Sequence, residues 1–342
     1  MRILNLLHAV LAAAIISALP TEPSSSTDLA TRADTSLVGY LGVFFLGSAP
    51  NIYFYLSDGN NAFSFKALKS GQPILKPTLG TGGVRDPAII NGAGDEAGKK
   101  WYIIGTDLDI GKTTWDASQR KGSLGIFVWE STDMINLGSE RLVKVEGDTA
   151  GMVWAPDAIW DPSKSQYLVH WASKFYSSSD TKHTGNPGAS VMRYAHTSDF
   201  KSFTAPETYI NESPSSIIDL DILKLGDNSF ARFIKNETAK YVYMERSDTG
   251  LFGTWTRPGG ANAMIHSGVE GPYAYMDNTV AGKVNLLLDY YGGDGYRPFT
   301  STNLNANAWQ DADRTNFPTN LRHGSVIALT KDKYDALKAK WG

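Results

Sequence analysis

From Leu37 onward the chain repeats one pattern of short apolar strands set between polar turns. A strand follows a loop that carries an acidic residue or a His. A second strand, rich in Tyr and Trp, comes next. A third ends in Ser or Thr, usually with an Asp, and a turn and a fourth strand follow. One copy reads VRDPAII, KKWYIIGTDL, GIFVWESTDM, ERLVKV. The next reads WAPDAIWD, SQYLVHWAS, SVMRYAHTSDF, then a strand near Thr208. A third reads IIDLDILKL, NSFARFIKN, KYVYMERSD, GTWTR, and a fourth EGPYAYMD, KVNLLLDYY, YRPFTSTNL. The repeats start at unequal spacings of about 50 to 70 residues, as four-stranded units with loop insertions would.

The two ends complete the count. The strand RHGSVIALT has only a polar tail behind it, and YLGVFFLG, NIYFYLSDG and FSFKAL look like a unit lacking its first strand. Joined, they make a fifth blade, and a closed ring leaves few exposed sheet edges. The chain is therefore predicted to be all-β: a five-bladed β-propeller spanning residues 37–342, its N-terminal strands joining the C-terminal strand. The one helical signal is KDKYDALKAKW at the C-terminus.

Composition agrees. The 342 residues include 42% apolar and 11% aromatic side chains, with 33 Gly, which suits strands and tight turns. A formal charge of −3, from 32 Lys+Arg against 35 Asp+Glu, argues against nucleic acid or a membrane surface as partner. The first segment, MRILNLLHAVLAAAIISALP, has one charge, an apolar stretch too short for a relaxed span, and small residues at Ser17 and Ala18. It reads as a signal peptide over 1–18, followed by a polar leader over 19–36, so a secreted, extracellular protein is expected. There is no Cys, which excludes disulfides, Cys-based zinc sites and thiol catalysis. Sequons at Asn211 and Asn236 fit export. The P-loop look-alike from Gly105 to Thr113 has five residues between its glycines where four are needed, and reads as a blade hairpin.

In a propeller the first strand of each blade lines the axis. Asp86, Asp157, Asp219, Glu270 and His323 are each read at the start of such a strand, pointing into one funnel. Five polar groups converging there are costly unless they act. Two carboxylates across a funnel suit glycoside hydrolysis: one donates a proton to the leaving oxygen, the other activates water, about 6.5–9.5 Å apart for inversion. A third carboxylate tunes the acid by like-charge repulsion. Trp154 can pack on a sugar face.

Val84-Arg85-Asp86-Pro87, Trp154-Ala155-Pro156-Asp157, Ile218-Asp219, Glu270-Gly271-Pro272 and Arg322-His323-Gly324-Ser325 stand in the order found in glycoside hydrolase family 43, which the chain resembles from Leu37 to Thr330. The resemblance implies an inverting five-bladed enzyme acting on α-L-arabinofuranosides, β-xylosides or galactans. Asp86 resembles the general base, Glu270 the general acid, and Asp219 the residue that tunes and orients the acid. Trp154, Asp157 and Arg322 would bind the sugar. His323 resembles the axial His that in many members binds a central calcium or a water, so a structural calcium on the axis is an expectation, and no cofactor is expected for the chemistry itself. The usual Ile-Asp-Pro is here Ile218-Asp219-Leu220-Asp221; strand alternation puts both acids on one side, and Asp219 is the one that matches the motif. The expected activity is an exo-acting α-L-arabinofuranosidase, monomeric, working on arabinan or arabinoxylan. β-Xylosidase and endo-1,5-α-L-arabinanase share the same trio, and a carbohydrate-binding propeller is the non-enzyme alternative.

Overall fold

A computed structural model describes residues 34–47 and 49–342. The expected signal peptide, and the leader as far as residue 33, lie outside the described residues. The chain opens with β1 (Leu37–Leu46), β2 (Ala49–Asp58) and β3 (Asn61–Ala67). Blade 2 holds β4 (Val84–Asn91), β5 (Trp101–Asp107), helix α1 (Trp115–Arg120), β6 (Gly125–Ser131) and β7 (Arg141–Lys144). Blade 3 holds β8 (Trp154–Asp161), β9 (Gln166–Ser173), β10 (Val191–Thr197) and β11 (Glu207–Ile210). Blade 4 holds β12 (Ile217–Lys224), β13 (Phe230–Asn236), β14 (Tyr241–Ser247) and β15 (His266–Ser267). Blade 5 holds β16 (Glu270–Met276), β17 (Val284–Tyr290), β18 (Gly295–Asn303) and β19 (Ala308–Asp311). Then β20 (Leu321–Thr330) returns to pair with β1, and α2 (Lys331–Trp341) ends the chain.

Each blade is a four-stranded antiparallel sheet, and the first is ordered β20-β1-β2-β3. The five-bladed ring closed by the two ends is therefore as the repeat predicts, with Gly42 opposite Val326 and Tyr40 opposite Ala328.

Alternation along each strand explains the packing. In β5, Trp101 and Ile103 face blade 1, while Tyr102 and Ile104 face blade 3. Every blade thus buries both faces, each against a different neighbour, and five apolar clusters fill the five gaps. That is why the central strands read as nearly continuous apolar runs. The outermost strands of blades 2 to 5 are only two to four residues long, which blunts the edges they leave.

Two local expectations are corrected. GTWTR was expected as the fourth strand of blade 4, but it makes only the bridge Arg246–Thr256. The outer strand is β15, which pairs with Tyr241 and Val242. The β5–β6 connection is not a plain hairpin. It carries a 3₁₀ turn and then α1, N-capped by Thr114, whose Oγ1 accepts from the N–H of Ala117 at 3.1 Å. A six-residue helix shows too little periodicity to be read from sequence. The C-terminal helix forms as expected, burying Leu337 and setting Trp341 edge-on to Phe54 at 5.7 Å.

Closure is tight at Gly324, where an added Cβ would stand 2.2 Å from the Val43 carbonyl oxygen. Gly324→Ala should therefore cost about 1–3 kcal/mol of stability, read as a lowered thermal midpoint. An unchanged midpoint would show that the β1–β20 contact relaxes freely.

Candidate active site

A β-bulge opens each innermost strand. Pairing slips by one residue between Arg85 and Ala88, Trp154 and Asp157, Ile218 and Asp221, and Glu270 and Tyr273. On β20 the same slip falls between Arg322 and Ser325. At four of these bulges one residue takes positive φ: Asp86 (49°), Ala155 (48°), Asp219 (53°) and Gly271 (52°). Such backbone is costly for a side chain with a Cβ, and it persists only where the surroundings hold it. Its effect is to re-aim the side chains at the strand start.

The bulges correct the idea that five ionisable residues share one position. Asp86, Asp219 and His323 share the bulge position with Ala155 and Gly271. Glu270 stands one residue earlier, in line with Arg85, Trp154, Ile218 and Arg322. Asp157 and Asp221 stand two residues later, in line with Ala88, Tyr273 and Ser325. Alternation misjudged Asp219 and Asp221 because a bulge inserts a residue and breaks the period of two.

A cavity of about 520 Å³ opens at these strand starts. Asp86, Trp154, Asp219, Glu270, Arg322 and His323 line it, whereas Asp157 and Asp221 do not. Asp86 accepts a hydrogen bond from Thr106 Oγ1 at 2.9 Å, and Thr106 Oγ1 in turn accepts from the Ala155 N–H at 2.8 Å. His323 Nδ1 lies 3.6 Å from Asp86 and 4.0 Å from Asp219, so one imidazole faces carboxylates from two other blades. Gly271 is required here: its φ is +52° and a Cβ would meet His323 Cγ at 2.6 Å. Asp219 accepts from the Gly271 N–H at 3.0 Å, which ties it to the backbone carrying Glu270.

Burial chiefly sets the carboxyl groups apart. It pushes Asp219 up to about 6, with the charge of His323 opposing and that of Glu270 adding. It pushes Asp157 up to about 7, against the Ala158 N–H and the charge of His323. Asp221 is raised well above the carboxylate range by burial and by Asp157.

Sequence reading missed Lys235, and it named Arg322 for the sugar without its carboxylate partners. Lys235 on β13 is buried, its Nζ donating to Glu270 Oε2 at 2.7 Å and lying 2.6 Å from Glu237 Oε2. Arg322 Nη2 lies 3.8 Å from Glu270, while its Nε donates to Asp289 at 2.8 Å. A Lys inside FARFIKN and an Asp inside VNLLLDY were the available signals, since charges inside apolar strands need partners. Trp115 on α1, 51% exposed, stands edge-on to Trp154 with centroids 6.0 Å apart, and Arg85 lies 5.3 Å from its ring. Tyr291 lines the wall that blade 5 supplies, beneath the Lys235 ammonium.

Of the remaining histidines, His170 is buried without a partner at either ring nitrogen, and burial pushes its pKa down to about 3. Among the described residues no group of three or more His, Asp or Glu is arranged to hold a metal ion. Calcium takes six to eight oxygens, and beside the His323 ring the described residues supply only the Asp86 and Asp219 carboxylates, at 3.6 and 4.0 Å, so most of a calcium shell there would have to be water.

The raised Asp157 has a consequence for stability. Because the fold favours its protonated form, its contribution is present at acid pH and fades as pH rises from near 4 through about 7. The thermal midpoint of the native protein, relative to Asp157→Asn, should therefore fall across that window. Parallel curves for the two proteins would contradict this.

The family described as "Probable glycosyl hydrolase domain", related to glycosyl hydrolase family 43, matches residues 35–335. An α-L-arabinofuranosidase of Bifidobacterium longum subsp. longum is 33% identical over 213 residues, covering 56% of this chain and 19% of that protein. The chain therefore spans about a fifth of that relative's length. The catalytic domain of a Coprinopsis cinerea GH62 α-L-arabinofuranosidase aligns at TM-score 0.49 and 15% identity, over 72% of this chain and 74% of that one. An exo-β-1,3-galactanase of Phanerochaete chrysosporium aligns at TM-score 0.44 and 12% identity, over 66% and 49%. The match over residues 35–335 spans all five blades, and this chain belongs to the glycosyl hydrolase domain family related to family 43.

Proposed function

We propose that the protein is an exported, exo-acting α-L-arabinofuranosidase that inverts at the anomeric carbon of arabinose side chains on arabinan or arabinoxylan. One observation carries the chemistry. Asp86, Asp219 and Glu270, from three blades, face one cavity on bulged strand starts. The sugar assignment draws on the name of the Bifidobacterium relative.

In this reading Asp86 takes a proton from water as the water oxygen bonds to the anomeric carbon. The Thr106 hydroxyl keeps one Asp86 oxygen occupied, leaving the other for water. Glu270 gives its proton to the glycosidic oxygen as that bond breaks, so no charge is stranded on the leaving group. Asp219 holds the Gly271 N–H, which orients the acid. Trp154 and Trp115 offer apolar faces to sugar rings at the cavity wall.

The test is hydrolysis of an aryl arabinofuranoside, an aryl xyloside and debranched arabinan, with product lengths resolved. Arabinose alone, released from the first and from chain ends, is the expected result. Xylose release would move the assignment to β-xylosidase, and internal oligomers would move it to endo-arabinanase. Glu270→Ala should lose about 10²–10⁴-fold on poor leaving groups and far less on good ones. Asp86→Ala should lose activity on both alike. Equal losses on both substrates for Glu270→Ala would remove the acid assignment.

A further inference from the structure

Glu270 stands among charges from four strands. Lys235 (β13) and Arg322 (β20) touch it, Asp219 (β12) and Asp289 (β17) lie near, and His323 lies beyond Asp219. A buried ammonium at 2.7 Å favours a neighbouring carboxylate over a carboxylic acid. A residue that must donate a proton is badly placed there, unless the cations are already satisfied.

They are. Arg322 Nε bonds both oxygens of buried Asp289, at 3.0 and 2.8 Å, whereas its nearest approach to Glu270 is 3.8 Å. Lys235 lies 2.6 Å from Glu237, which also pairs with the more exposed Lys240. Burial opposes the ionised form of Glu237, but its hydrogen bonds with Lys235 and Lys240 outweigh this and hold its pKa below the ordinary value. Each cation that touches Glu270 therefore has another carboxylate partner, Glu237 for Lys235 and Asp289 for Arg322.

We propose that Glu237 and Asp289 are positioning residues that neutralise Lys235 and Arg322, so that Glu270 can carry its proton without leaving a cation bare. This rests on the acid role proposed for Glu270. When the proton passes to the glycosidic oxygen, Glu270 becomes a carboxylate and the same two cations are there to receive it. A proton from solvent water then restores the acid.

Asp289 is buried and also holds the His323 N–H, so Glu237 is the cleaner probe. The experiment records kcat/KM against pH with an alkyl arabinofuranoside, whose leaving group is poor, and with an activated aryl arabinofuranoside. In Glu237→Gln, Lys235 acts unopposed on Glu270, so the basic limb should move down by about one pH unit on the alkyl substrate. In Lys235→Met it should move up. The double variant should return toward the native limb, which separates charge from misfolding. On the aryl substrate these shifts should shrink, because little protonation is needed. A Glu237→Gln limb that coincides with the native one, or a Lys235→Met limb that moves down, would overturn the counter-ion role. Glu270→Ala with equal losses on both substrates would instead overturn the acid reading beneath it.

Discussion

Every blade of this ring needs two neighbours. Strand alternation gives each sheet two apolar faces, and five clusters lie between blades, none within one. A single unpaired gap would expose the faces of two blades, and hydrophobic burial at about 25 cal/mol per Å² is the main term available to a chain without disulfides. The antiparallel pairing of β20 with β1 closes that gap. It brings the clusters on either side of blade 1 into being, and it sets Arg322 and His323 beside residues from the middle of the chain.

Closure also explains why the site lies at the strand starts. Five inner strands converge, and a bulge in each turns its first residues toward the same space. The positive φ at Asp86 and Asp219 is the local cost of that convergence. Hydrogen bonds hold both: Asp86 to Thr106 on the next strand of its own blade, which is itself held by the Ala155 N–H of blade 3, and Asp219 to the Gly271 N–H on the next blade. The ring thus supplies both the strain and the contacts that hold it.

The same convergence separates chemically identical groups. Asp219 and Asp157 differ in what faces them: Asp219 lines the cavity, while Asp157 sits off it near Asp221 and Tyr273. Glu270 differs again, because two cations with their own counter-ions stand against it. Placement on the bulge, not residue type, decides the part that each acid can play.

Much of this was present in the residues alone. The strand order, the blade count and the pairing of RHGSVIALT with YLGVFFLG follow from local apolar patterns and turns, which depend on neighbours in sequence. The residues at the inner strand starts were legible for the same reason. What the sequence could not carry was their offset. A bulge is a property of two paired strands, so the separation of Asp219 from Asp221, and of Glu270 from Asp86, exists only once β12, β16 and β4 have partners. Lys235, and the pairing of Arg322 with Asp289, were hidden for a related reason. Lys235 is 35 residues from Glu270, and Arg322 is 33 from Asp289. Charge acts through space at a few ångströms, and only the folded ring brings those residues that close.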